Sequence, residues 1–75
     1  MDLQIGQIVI SKAGRDKGMT FVVTALDGEY AYLVDGRIRR LANPKRKKRK
    51  HIQHKNVVVE LPQNDAGFRK MLEEG

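Results

Sequence analysis

The chain has 75 residues and no cysteine, so it reads as one small domain that neither a disulfide framework nor a thiolate metal site can staple. A domain of this size buries only about 60% of its extendable surface, and its stability must come from packing and backbone pairing. Its net charge is +6, with ten Lys or Arg and no acid from Arg37 to Lys55, and five basic and all nine acidic residues elsewhere. This polarisation points to a polyanionic partner, nucleic acid first. An anionic membrane surface would require a basic amphipathic helix, and KRKKRK (residues 45–50) has no apolar face. The opening MDLQIGQIVI lacks the basic and apolar regions of a secretory signal, and no apolar run approaches the roughly 20 residues that span a bilayer. A cytoplasmic location is expected.

Turn signals divide residues 1–42 into four short β-like segments. IGQIVISK (residues 5–12) is rich in β-branched residues and runs into AGRDKG, whose glycines permit the positive φ of a tight loop. MTFVVTAL (residues 19–26) ends at Asp27-Gly28, EYAYLV (residues 29–34) ends at Asp35-Gly36, and RIRRLA (residues 37–42) stops at Asn43-Pro44. Asp-Gly between apolar β-like runs is a strong hairpin signal, and it occurs twice, so a meander of four strands is predicted. A two-residue loop at Asp35-Gly36 pairs Leu33 with Ile38 on the core face and Tyr32 with Arg39 on the other. The same geometry at Asp27-Gly28 pairs Val22 with Leu33 and Val23 with Tyr32. That leaves both faces partly apolar, and a bulge would alter the assignment.

Beyond the basic run, residues 57–61 (VVVEL) predict a fifth strand, closed by Pro62. A C-terminal helix is expected at about residues 64–74. Asn64 serves as N-cap, Asp65 favours the positive end of the helix dipole, and Phe68, Met71 and Leu72 form an apolar stripe. Gly67 weakens this helix by about 1 kcal/mol relative to Ala. The helix is expected over an open end or edge of the sheet. Five short strands in this length suggest a small, strongly bent antiparallel barrel, because closing the sheet protects its edges.

The segment IGQIVISKAGRDKGMTFVVTALDGEYAYLVDG resembles the KOW motif, in which a strand leads through a basic, glycine-containing loop into a second strand and a turn. The glycine on which that motif relies would be Gly18. The continuation YAYLVDGRIRRLANPKRKKRKHI looks like the KOW-bearing large-subunit ribosomal proteins of archaea and eukaryotes. The resemblance covers about residues 5–52. It implies an SH3-like five-stranded barrel and binding to structured RNA, often ribosomal RNA. Carried over by position, it implies that Lys12, Arg15 and Lys17 on the loop and Arg37, Arg39 and Arg40 on a basic strand face the RNA. KOW domains of transcription elongation factors also bind proteins, so the alternative is a protein-interaction module on the transcription or translation machinery.

The basic run itself, Lys45, Arg46, Lys47, Lys48, Arg49 and Lys50, reads as an arm at about residues 43–55 that lies along phosphates and orders on binding. The plain alternative is a solvated loop of mutually repelling charges. Its context favours the arm, because arginines precede it on a predicted strand and His51, His54 and Lys55 follow. Arg37, Arg39 and Tyr32 would form a patch in which guanidinium groups grip phosphate and the ring stacks on a base. A cross-strand Tyr–Arg pair that merely shields the sheet explains them equally. Arg15 and Lys17 have ordinary turn chemistry, with Asp16 as the turn residue, as their alternative.

His51 and His54 could suggest a metal pair, but no third ligand cluster accompanies them, so no metal and no cofactor are expected. A supply of positive charge in mild acid is the more natural role for them beside the arm. The acids are dispersed, and no Ser–His–Asp or Cys–His arrangement is evident, so an enzyme is not expected. The reading is a monomeric, non-catalytic RNA binder.

Overall fold

A computed structural model describes residues 3–74. Five strands, β1 (Gln7–Ser11), β2 (Thr20–Asp27), β3 (Tyr30–Val34), β4 (Lys45–Lys48) and β5 (Ile52–Val58), form one antiparallel sheet in the order β4-β3-β2-β1-β5. A single helix, α1 (Asp65–Glu74), follows. The chain is thus mainly β with a short C-terminal helix, as its β-branched runs and turn residues predict.

The connection between β4 and β5 explains the shape of the sheet. These strands occupy opposite edges, which in a flat five-stranded sheet lie about 19 Å apart. Only a short 3-10 turn, Arg49–His51, joins them. Even fully extended, that link from Lys48 to Ile52 reaches about 14 Å, so the sheet must curl. The Lys12 N–H donates to the His51 carbonyl at 2.8 Å, fastening the corner to the end of β1. No ladder joins β4 to β5 among the described residues. The sheet is therefore curled but not closed, and "SH3-like barrel" holds only in that loose sense.

Both faces of the sheet carry buried residues, which answers the ambiguity of its periodicity. Leu3, Val9, Phe21, Val23, Ala31, Leu33 and Ile52 form the interior cluster. Ile8, Val22 and Val34 lie on the outer face, where α1 covers them with Phe68, Met71 and Leu72. The helix therefore packs on a face of the sheet, not on an open end or edge. Asn64 caps it as expected, its Oδ1 accepting the Gly67 N–H at 2.8 Å.

The alternation along β2 is reset by a bulge between Val23 and Ala25. Val22 pairs with Val34 and Val23 with Leu33, one residue away from the predicted register. Past the bulge, Ala25 faces Tyr32 and Asp27 faces Tyr30, so the two central loop residues are Gly28 and Glu29. The bulge keeps Leu26 on the interior cluster, while the alternation of β3 itself places Tyr30 and Tyr32 on the outer face beside the helix-covered part.

Two predicted strands are corrected. Residues 37–42 form a loop, and Ile38, expected in the core, is 72% exposed. The cause is Asp35, whose buried side chain accepts the N–H groups of both Arg37 and Arg39 at 2.9 Å and wraps the chain into a compact loop. Gly36, at φ +79°, lies against α1, where a Cβ would collide with the Asp65 carbonyl. Asp65 also accepts the Leu41 N–H at 2.8 Å, and Arg69 Nη1 donates to the Gly36 carbonyl at 2.6 Å. The fifth strand is Ile52–Val58 and not residues 57–61, and both Val57 and Val58 are exposed.

Candidate nucleic-acid interface

The basic run is neither arm nor disordered loop. Its first four residues are β4, paired with β3 so that Lys45 faces Leu33, Arg46 faces Tyr32, Lys47 faces Ala31 and Lys48 faces Tyr30. Pro44 is compatible with this edge position, since it lies just before the strand and its missing N–H costs no ladder bond. Alternation then sorts the charges onto two faces. Arg46 and Lys48 join Tyr30 and Tyr32 on the outer face, whereas Lys45 and Lys47 share the interior side with Ala31 and Leu33.

On the outer face, the Arg46 guanidinium carbon lies 3.6 Å from the centroid of the Tyr30 ring. Such stacking holds the arginine in place while its N–H edge remains free to meet an anion. The expected grouping of Tyr32 with Arg37 and Arg39 does not form. Tyr32 stands opposite Arg46, and Arg37 instead pairs with Glu73 of α1 on the surface. Arg40 is exposed, and its Nε donates to the Arg37 carbonyl at 3.2 Å.

On the interior side, Lys47 is a fastening inside the protein. Its side chain is 8% exposed, and Nζ donates to Asp16 Oδ1 and to the Ala13 carbonyl, both at 2.7 Å. The Ser11 hydroxyl donates to the same Asp16 oxygen at 2.7 Å. Burial pushes the Asp16 carboxyl up, but the hydrogen bonds from Lys47 and Ser11, with the charges of Lys47 and Lys45, outweigh it and hold Asp16 below its ordinary value. Lys47 is thus withdrawn from the set available to a partner, and Asp16 is an anchor, not only a turn residue.

This anchor sets the AGRDKG loop. The Gly18 N–H donates to the Ser11 carbonyl at 2.9 Å and the Met19 N–H to the Asp16 carbonyl at 2.9 Å. Gly18 takes φ +87° with open space where a Cβ would stand, so its backbone angle is what requires glycine. Lys12, Arg15 and Lys17 project from this fixed loop, all three exposed. Arg15, Arg39 and Lys45 line one groove of about 300 Å³, floored by Met19, Phe21 and Ile38. The structure therefore brings the loop, the 35–41 segment and β4 to one place, although residues 37–42 are not the expected strand.

Of the remaining predicted residues, Arg49 and His51 are half-buried in the 3-10 turn, Lys50 is exposed beside them, and Lys55 is exposed on β5. Sequence reasoning missed Tyr30 as a partner of the cations. The signal was present in the two-residue spacing of Tyr30 and Tyr32, which places both on one face of any strand. Among the described residues, no group of three or more His, Cys, Asp or Glu side chains is close enough to hold a metal ion. No helix among them is long and apolar enough to cross a membrane. No protein-family model and no curated protein sequence matches the chain.

Proposed function

We propose that this chain is a non-enzymatic, KOW-type domain that binds structured RNA in the cytoplasm, with ribosomal RNA as the first choice. The observation that carries the reading is the sorting of charges on β4: Arg46 and Lys48 emerge beside Tyr30 and Tyr32 on an outer face that the helix cluster does not include. Cations on a rigid strand grip phosphates without first paying the ordering entropy of a free arm. The preset loop adds Lys12, Arg15 and Lys17 to the cationic surface, with Arg15 in the same groove as Lys45 and Arg39. Two tyrosines and no tryptophan favour recognition of backbone and shape over the reading of many unpaired bases.

The test is co-sedimentation with ribosomal particles on gradients at low and high salt, using the wild type and Arg46→Gln/Lys48→Gln. Lys47 is left intact so that the fold is not perturbed. The wild type is expected with the large subunit at low salt and the variant at the top of the gradient. For every phosphate that the variant no longer grips, the log–log salt slope should fall by roughly 0.7 to 0.9. Co-sedimentation that survives both neutralisation and high salt would favour the protein-interaction module instead. A wild type that never leaves the top of the gradient removes the ribosomal assignment.

A further inference from the structure

Ile38 is the most exposed large apolar side chain among the described residues, at 72%. A lone isoleucine in solvent needs no explanation, but this one is held in place. The Asp35 and Gly36 N–H groups both donate to the Arg39 carbonyl, at 2.9 and 3.1 Å, while the Asp35 carboxylate takes the N–H groups of Arg37 and Arg39. Ile38 therefore stands on a loop that is already closed, and a partner that meets it has little ordering entropy left to supply.

Ile38 and the half-buried Met19 supply accessible apolar surface to the groove of about 300 Å³ described above, with Phe21 fully buried behind them. Three separate segments bring its cations: Arg15 from the AGRDKG loop, Arg39 from residues 35–41 and Lys45 from β4. Arg15 is exposed, and Arg39 and Lys45 are half-buried. Long side chains of this kind lay their stems along apolar surface and keep the charged head in water. Asp16 also lines the groove, but Lys47 and Ser11 already hold that carboxylate. Among the described lining residues, the result is an apolar strip rimmed by three cations.

An oxyanion alone would leave the apolar strip in water, and an apolar ligand alone would leave the cations unused. A nucleotide within a chain answers both, since it carries a flat ring with a phosphate before and after it. The groove volume, at the lower end of the range for small-molecule sites, suits one ring system. Lys45 lies next to Arg46 on the opposite side of the edge strand β4, so a backbone crossing that edge reaches the groove and the Arg46–Lys48 face together. We infer that the groove is a slot for one unpaired nucleobase of the bound RNA. The base packs against Ile38 and Met19, whose sulfur is a favourable neighbour for an aromatic ring. Arg15, Arg39 and Lys45 meet the phosphates on either side of it. This inference rests on the RNA reading and narrows it: the preferred RNA is a helix interrupted by an unpaired nucleotide.

The experiment compares a blunt RNA duplex with the same duplex carrying one bulged adenosine, each titrated with the full chain at matched salt and read by fluorescence anisotropy. The bulged RNA is expected to bind about tenfold more tightly. Ile38→Ser, at an exposed position, should bring the ratio of the two affinities to about one. Arg46→Gln/Lys48→Gln should weaken both RNAs and leave the ratio in place. A bulge also bends a duplex, so methyl NMR of the wild type supplies the direct readout. Ring-current shifts at the Ile38 δ1 and Met19 ε methyls are expected with the bulged RNA and not with the paired one.

Equal affinity for the two duplexes, or a preference that survives Ile38→Ser with both methyls unmoved, would overturn the slot and leave the RNA reading on Arg46 and Lys48. Binding to neither duplex would overturn both. An acidic peptide bearing one leucine is the control for the other class of partner. If it moves the two methyls and the bulged RNA does not, the groove belongs to a protein ligand and the slot falls.

Discussion

The two cationic segments on either side of Asn43-Pro44 are held by acids in opposite ways. In residues 35–41 the carboxylates grip backbone: Asp35 takes the N–H groups of Arg37 and Arg39, and Asp65 takes that of Leu41. The arginine side chains there are left to the surface or half-buried. In β4 the backbone is satisfied by the ladder with β3, and the acid, Asp16, grips a side chain, Lys47. A few acids thus decide which cations are tied down inside the protein and which stay at its surface. Charge density alone does not separate the two kinds.

The largest test of this contrast sets neighbours on β4 against each other. Lys47→Glu would place a second carboxylate beside Asp16 and leave that carboxylate without its partner. A destabilisation of about 4 kcal/mol is expected in urea denaturation, much of the margin of so small a domain. Arg46→Glu, one residue away, gives up a surface cation–π interaction and should cost less than about 1 kcal/mol. Equal destabilisation by the two would dissolve the distinction between the faces.

The next effect belongs to the loop. Asp35→Ala leaves two N–H groups without their acceptor and should cost about 2 to 3 kcal/mol, with faster hydrogen exchange at the Arg37 and Arg39 amides. If exchange there is unchanged, the carboxylate is not what shapes the loop.

A smaller effect comes from pH. The lowered pKa of Asp16 means that its contribution is fully present above the unfolded reference of about 3.9. It disappears as pH falls through the lower folded value. Between pH 5 and pH 2.5 the wild type should therefore lose more stability than Asp16→Asn, whose site does not titrate. The smallest effect is at Arg37→Ala, which breaks an exposed pair with Glu73 and should cost less than about 1 kcal/mol.

Much of the fold was legible because it is written locally. The β-branched runs, the glycines of AGRDKG, and the Asn64 cap with its Phe68, Met71 and Leu72 stripe mark three strands and the helix to within a few residues. Other parts were hidden because distant residues decide them. Asp35-Gly36 carries the pattern of a hairpin turn, yet α1 packs against Gly36 and draws the following residues into a loop. KRKK shows no strand signature, since Lys has little β preference, and only the open edge of β3 makes it a strand. Without that register, nothing marks Lys47 among six adjacent cations as the buried one. The bulge in β2, which keeps Leu26 on the interior cluster, has no glycine or proline to announce it.

The position of β4 has a consequence for solubility. It is a sheet edge with one side of its backbone unpaired, the kind of border along which separate copies can add strand to strand. Its cations repel an approaching copy, so the charges suited to a polyanion also keep the molecules from stacking on one another. Replacing the whole run with neutral residues would remove that guard along with any binding. A binding defect in such a variant would be confounded by self-association, whereas exchanging only Arg46 and Lys48 leaves Lys45 to keep the edge charged.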